Sequence, residues 1–183
     1  MQQPEHPDEQ SVRMANAWFG ELYGSLRRLA SWHLRGRSIG LTLQATAVVH
    51  DAYVRLVGSR AAQRGWSSRE HFFNAAALAM RRVVLDWARS HGRRPRIQHL
   101  SEMSNESIPF LREFRVDQIK PMLAAIERLE SEHPRSAKVA GYRLFVGLTV
   151  AEIAELLGLS TRTIDGDWEF ARRWLRTELD EHA

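Results

Sequence analysis

The sequence contains no cysteine, which excludes disulfide bonds and thiolate metal sites and favours a cytoplasmic protein. It has no run of about 18 apolar residues, so no membrane span is predicted. The eight histidines are scattered, without a metal-binding spacing such as H-E-x-x-H, and there is no nucleotide-binding loop. No nucleophile has an obvious base nearby. These absences predict a protein that is not an enzyme and that uses neither a metal nor another cofactor.

Charge is distributed unevenly along the chain. Residues 1–99 hold 15 Arg and 7 acidic residues, whereas residues 100–183 hold 11 basic and 15 acidic residues. A basic first half indicates nucleic-acid contact, and arginine suits forked phosphate and base contacts better than lysine does. High genomic GC content would also favour arginine, but it would not produce the asymmetry between the halves.

The apolar pattern has helical spacing and shows neither strand alternation nor a repeat, so the predicted fold class is all-α. We predict helices over residues 11–34, 42–57 and 70–91, and again from residue 119. Pro134 is expected in a turn that precedes a helix through Phe145. The predicted organisation is a disordered tail at 1–10, a helical domain at 11–96, a flexible linker at 97–118 and a second helical domain at 119–183. The tail is polar and acidic, which does not fit a signal peptide.

A helix-turn-helix pattern lies in the second domain. Thr149 and Glu152 have the spacing of a capping box, Gly158 suits the end of that helix, and Ser160 suits the N-cap of the next. The second helix has one apolar stripe, formed by Ile164, Trp168, Ala171 and Leu175. This arrangement is typical of motifs that place their second helix in the DNA major groove.

The outward face of this second helix has mixed charge. It is predicted to carry Arg162, Asp165, Gly166, Glu169, Arg173 and Arg176, and Asp167 is also expected to point outward. Acidic side chains are unusual on a DNA reader, although they can accept a hydrogen bond from cytosine N4. The candidates for base or phosphate contact are Ser160, Thr161, Arg162, Thr163, Arg172, Arg173 and Arg176. We expect Trp174 to pack within the domain.

Three blocks in a fixed order resemble the extracytoplasmic function (ECF) sigma factors of bacterial RNA polymerase. They are TAVVHDAYVRL at Thr46–Leu56, HFFNAAALAMRRVVLDWARSHGRRPR at His71–Arg96, and the segment from Ala124 to Ile164. The resemblance implies a sigma region 2 domain at 11–96 and a region 4 domain at 119–183. It implies a promoter-specificity subunit that binds core RNA polymerase and promoter DNA, recognises the −10 and −35 elements and melts the DNA. The resemblance also allows an anti-sigma factor as a further partner.

Within region 2, the long helix and the loop before it correspond to the −10 reader. The residues assigned to −10 recognition are Trp66, Arg81, Arg82, Arg89, Arg93 and Arg94. The arginines form a basic ridge that would attract DNA phosphates, or else a solvated face on which Arg82 pairs with Asp86. Trp66 either stacks on an unpaired base or packs onto the domain. The expected core residues of this helix are Phe72, Ala76, Met80, Val83, Val84 and Trp87.

The first block corresponds to the helix that docks on the polymerase clamp. Its outward residues are the docking candidates: Thr46, Ala47, His50, Asp51, Val54 and Arg55. Its core side is expected to hold Ala45, Val49, Ala52, Tyr53 and Leu56. Most ECF sigma factors begin this helix with Asp-Ala-Glu-Asp, whereas this chain has Gln44, Ala45, Thr46 and Ala47.

Phosphorylation of Thr46 by a Ser/Thr kinase would restore negative charge near the start of the docking helix. The alternative is that Thr46 is a tolerated polar residue and that Asp51 suffices for docking. A second class of function also fits a helix-turn-helix with acidic residues on its outward face. The chain could be an adaptor that acts through protein–protein contacts and gives no transcription initiation.

Overall fold

The computed structural model describes residues 17–26, 53–56, 65–91 and 118–180. These ranges are helical with short connections and contain no strand, which confirms the all-α prediction. We name the helices in chain order: α1 (17–26), α2 (53–56), α3 (Arg69–His91), α4 (Ile119–Glu132), α5 (Pro134–Gly141), α6 (Val150–Leu157) and α7 (Thr161–Asp180). A π-helical turn, Tyr142–Val146, continues directly from α5.

Helix α3 is amphipathic and turns its apolar side inward, largely as predicted. Phe72, Ala76, Met80 and Val83 are buried, and Val84 is partly buried. The side chain of Trp87 lies outside the described residues. Phe72 has aromatic neighbours on several sides, including Phe19 of α1 at a ring-centroid distance of 4.8 Å. Such packing anchors α1 against α3.

The segment around Pro134 differs from the prediction. Pro134 is the first residue of α5 rather than part of a turn, and the break between α4 and α5 falls at His133. Proline is tolerated at the first helical position because the missing N–H would have had no partner within the helix. The predicted helix through Phe145 is present and extends to Val146, but its last five residues, Tyr142–Val146, form the π turn. Gly147 ends that turn with a φ of 76°.

The four helices α4 to α7 pack together, with α7 contacting α4, α5 and α6. Helix α3 packs against α4, α5, the π turn and α6. The buried apolar side chains therefore form one continuous core, which includes Leu22, Phe72 and Met122 as well as Ile164 and Leu175 of α7. The predicted domain boundaries stay a prediction, because residues 92–117 lie outside the described residues.

Two tyrosines have large exposed surfaces. Tyr53 was expected in the core beside Leu56, but 48% of its surface is exposed whereas Leu56 is buried. Tyr23 of α1 is exposed as well. A tyrosine can cover an apolar neighbour with its ring and keep its hydroxyl in water, and the Tyr53 ring contacts Phe19 in this way.

Among the described helices, none has both the length and the apolar character needed to cross a membrane.

Candidate nucleic-acid interface

Helices α6 and α7 form the predicted helix-turn-helix, and each local signal acts as expected. The Thr149 hydroxyl accepts a hydrogen bond from the Glu152 backbone N–H at 3.2 Å, and the Glu152 carboxylate accepts one from the Thr149 N–H at 2.7 Å. Gly158 ends α6 in the left-handed conformation, with φ 64°. The Ser160 hydroxyl accepts from the Thr163 N–H at 3.1 Å and so caps α7. These bonds fix the angle at which α7 leaves α6.

The outward face of α7 is arranged as predicted except at Asp167. Ile164, Trp168, Ala171 and Leu175 are buried. The opposite side is exposed and carries Arg162, Asp165, Gly166, Glu169, Arg173 and Arg176. Ser160 and Thr161 are exposed at the start of the helix, and Thr163 is partly buried. The face therefore presents hydroxyls at the helix N-terminus and arginines along its length.

Asp167 does not belong to this face, so the expectation that it points outward was wrong. Only 8% of the Asp167 surface is exposed to solvent. Arg135 donates to its carboxylate from Nε at 2.6 Å and from Nη2 at 3.1 Å, and Ser136 Oγ donates at 3.1 Å. The pKa of Arg135 is raised, first by the hydrogen bond to Asp167 and then by its charge. Asp167 thus joins α7 to the first turn of α5, where the helix dipole favours a carboxylate.

Arg172 and Trp174 are partly buried and do not belong to the exposed outward face of α7. The Arg172 guanidinium lies 5.9 Å from the centre of the Trp168 ring, a cation–π geometry, and the residue is partly buried. Trp174 is also partly buried, with His133 and Phe170 as aromatic neighbours. This agrees with the expected packing role of Trp174.

On α3, Arg81 lies against α4. Its Nη2 donates to the Leu123 carbonyl at 3.0 Å and to Glu127 Oε1 at 2.8 Å. Its Nη1 lies 3.7 Å from Glu130 Oε2, and the side chain is only 15% exposed. In this conformation the Arg81 guanidinium faces the predicted region 4 and not solvent.

Arg82 and Arg89 lie on the exposed side of α3. Asp86 pairs with Arg55 at 2.9 Å and with Arg89 at 3.6 Å. The structure therefore gives Asp86 two partners other than the one that the i, i+4 spacing proposed. The pairing with Arg55 joins the docking segment to the predicted −10 helix.

The residues before α3 pack closely. Trp66 is partly buried and meets Phe72 edge-on at 5.2 Å and His71 at 5.5 Å. This conformation favours the packing interpretation of Trp66 over base stacking. Arg69 lies over the Phe73 ring and pairs with Glu21 of α1 at 2.9 Å and Glu155 of α6 at 3.1 Å.

Two docking candidates can be placed. Val54 is 52% exposed, which is consistent with an unpartnered apolar contact surface, and Arg55 is paired with Asp86. The other docking candidates, Thr46, Ala47, His50 and Asp51, lie outside the described residues. So do Arg93 and Arg94 of the −10 set.

The tertiary partners in this site were not identified from the sequence. Asp167 is 32 residues from Arg135, and Arg81 is 46 residues from Glu127. Periodicity reports only neighbours within a turn or two of the same helix. The one available signal was an acidic residue on α7 next to the apolar position Trp168, which could have indicated a buried ion pair.

The chain matches the family model for ECF sigma factors over residues 8–181. Searches of curated proteins and of solved structures gave no significant match. The matched range includes α1 to α7 and both halves of the predicted organisation. The family consists of transcription initiation factors and not of enzymes. The chain therefore belongs to the ECF sigma factor family, whose members direct transcription initiation at promoters.

Proposed function

We propose that this sigma factor reads promoters at two points, with α7 at the −35 element and the α3 segment at the −10 element. The observation that carries the proposal is the exposed face of α7. The start of α7 is fixed by Gly158, which ends α6, and by the Ser160 cap. Five of the candidate residues are exposed there or along α7: Ser160, Thr161, Arg162, Arg173 and Arg176. Such a face suits a major groove, with hydroxyls near the bases and arginines near the phosphates.

The acidic residues make α7 a weak reader by itself. Asp165 and Glu169 reduce the positive charge of the face, and phosphate neutralisation supplies most non-specific affinity. Attachment to a second reader on the same polymerase raises the effective concentration of α7 at its element. A weak, selective −35 contact is therefore sufficient in a two-point promoter reader.

The −10 assignment uses the exposed Arg82 and Arg89, with Arg93 and Arg94 further along the chain. Core polymerase docking uses Val54, Arg55 and the residues before them. The factor would act in the cytoplasm. Thr46 remains our candidate for activating phosphorylation by a Ser/Thr kinase. The Thr46 hypothesis depends on the absence of the usual acidic motif in the sequence, since Thr46 itself lies outside the described residues.

The test is transcription from a library of genomic fragments with purified bacterial core RNA polymerase, followed by sequencing of the transcript 5′ ends. We expect start sites that share two upstream elements and that need this protein. Arg173→Ala should weaken transcription and lower the salt slope of promoter binding by about one. Lys120→Ala is the matched control, because Lys120 is exposed on α4 and belongs to neither reader. An adaptor would give no new start sites, and that result would refute the proposal.

A further inference from the structure

The outward face of α7 carries two carboxylates that the fold does not use. Asp165 and Glu169 are exposed one helical turn apart, and within the described part of the chain neither is held by a hydrogen bond or a salt bridge. Asp167, which lies between them in the sequence, is buried and bound to Arg135 of α5. The fold therefore accounts for Asp167, whereas the carboxylates of Asp165 and Glu169 are available to a partner outside the chain.

Both carboxylates lie in the part of α7 that would meet base edges. In helix-turn-helix proteins, the N-terminal residues of the second helix contact the bases. Helix α7 begins at Thr161, so Asp165 lies in its second turn and Glu169 in its third. Arg173 and Arg176 follow on the same exposed face, nearer the far end of the helix. The face thus places acids where bases would be read and arginines where phosphates would be met.

Gly166 gives a second, independent indication that another molecule approaches this face. It lies inside α7 between the two carboxylates, its surface is exposed, and an added Cβ would have no neighbour within 4 Å. Glycine stabilises a helix less than alanine does, and no packing contact of the described chain requires it here. A missing side chain lets a ligand come close to the backbone. Such an approach would bring the short side chain of Asp165 within reach of the bases.

The chemistry of a carboxylate limits which bases it can read. An ionised carboxylate accepts hydrogen bonds and donates none. In the major groove, guanine O6 and N7 and thymine O4 are acceptors, whereas cytosine N4 and adenine N6 carry the donors. Adenine N7 is an acceptor beside N6 and would repel a carboxylate, but cytosine presents only its N4 donor. Cytosine is therefore the base that an unpaired aspartate or glutamate favours most.

We propose that Asp165 and Glu169 determine the −35 specificity of this factor by selecting cytosine at two positions of the element. The two residues are one turn apart, which is about 6 Å along the helix and close to the rise of two base pairs. The selected cytosines are therefore expected about two base pairs apart. At other sequences an unmatched carboxylate would face base acceptors, which weakens binding. This inference rests on the two-point function proposed above.

The test is transcription from a promoter library with a randomised −35 element, using core RNA polymerase and the full-length protein. The wild type should enrich cytosine over guanine or thymine at two positions, by about tenfold at each. Asp165→Asn adds an amide donor and should move the preference at one position toward adenine, which asparagine can contact at both N6 and N7. Glu169→Gln should do the same at the other position and leave the first unchanged.

Asp180→Asn is the matched control. It removes the same charge from the same helix, at an exposed position roughly 22 Å beyond Asp165. Its base preference should equal that of the wild type. A carboxylate that only repels DNA would differ from a reader, because its neutralisation would raise transcription from all −35 sequences alike. That result for both Asp165→Asn and Glu169→Gln would overturn the inference.

Gly166→Ala tests the close approach separately. The added methyl group should leave the fold intact, since nothing in the described chain lies near it. It should lower transcription from the preferred −35 sequence several-fold, because it holds the helix away from the bases. Undiminished transcription from that sequence would contradict the close approach and the reach of Asp165 that depends on it.

The outcomes separate this inference from the proposed function. If the wild type enriches some other −35 sequence, and both acid variants keep that preference, cytosine selection is wrong and the two-point function stands. Transcription that needs the protein but no particular −35 sequence would contradict the two-point function and the inference together. If no promoter-dependent transcript forms with core polymerase, both fail as well.

Discussion

At the scale of single residues, Asp167 shows how one buried carboxylate can organise a helix-turn-helix motif. It lies on α7 but binds Arg135 and Ser136 of α5, so it fixes the position of α7 on the rest of the protein. Arg135 remains largely exposed, with 60% of its side chain in solvent. The stabilisation therefore comes mainly from the hydrogen bonds to the buried Asp167 carboxylate.

We expect Asp167→Ala to lower the free energy of unfolding by about 1–3 kcal/mol, because Ser136 loses a buried partner and the link to α5 is broken. Urea unfolding followed by circular dichroism measures this change. Asp165→Ala is the control, since Asp165 is exposed two residues earlier, and its effect should stay within about 0.5 kcal/mol. Equal effects of the two substitutions would show that Asp167 has no special structural role.

Tyr142 gives a pH-dependent prediction. Burial, with a smaller contribution from the Glu70 carboxylate, raises the pKa of the Tyr142 hydroxyl well above its ordinary value of about 10. The folded state thus favours the neutral hydroxyl. Its stabilisation is complete below about pH 10 and is lost as the pH rises from there toward the raised folded pKa.

The wild type should therefore lose stability more steeply above about pH 10 than Tyr142→Phe does. At about pH 8 the variant should be less stable by roughly 1 kcal/mol, since the hydrogen bond to Asn74 is missing. Urea unfolding of both proteins across this pH range makes the comparison. Parallel stability curves would contradict the burial of an un-ionised Tyr142 hydroxyl.

At the scale of elements, the helix-turn-helix depends on the backbone conformation of its turn. Gly158 has a φ of 64°, a conformation that costs other residues about 1 kcal/mol or more. Gly166 lies inside α7, is exposed, and has no neighbouring atom within 4 Å of an added Cβ. The two glycines therefore have opposite requirements although they lie eight residues apart.

We expect Gly158→Ala to destabilise the protein by about 1 kcal/mol and Gly166→Ala to stabilise it by roughly 0.5–1 kcal/mol. Thermal unfolding of both variants measures the two effects, and each substitution is the control for the other. Destabilisation by Gly166→Ala would contradict the regular helical course of α7 through its exposed face.

Elements were predictable where their causes are local. The capping box of Thr149, the stop at Gly158 and the stripe through Trp168 each involve residues within a few positions of one another, and all three predictions were confirmed. The π turn at Tyr142–Val146 was not predicted, because its apolar spacing resembles that of an ordinary helix. The start of α5 at Pro134 was misassigned for a similar reason, since proline favours both turns and first helical positions.

At the scale of the whole molecule, composition indicated a basic half and an acidic half, and the structure shows where they meet. Arg69 and Arg81 of the first half pair with Glu155, Glu127 and Glu130 of the second. The sequence could show this charge asymmetry but not the pairing, since Arg69 and Glu155, for example, are 86 residues apart. The asymmetry that suggests DNA binding thus also supports contact between the two halves.

The central claim is the proposed function, in which one chain holds two promoter readers, the α3 segment for the −10 element and α7 for the −35 element. Spin labels can be attached at Leu78→Cys on α3 and Thr177→Cys on α7, since both positions are exposed and the chain has no cysteine. Electron–electron double resonance then measures the distance between the two labels. In the complex with core polymerase and promoter DNA we predict a much longer distance than in the free protein. The reason is that the −35 and −10 elements lie, by their names, about 25 base pairs apart, which is roughly 85 Å of B-form DNA. An unchanged short distance in that complex would contradict the claim.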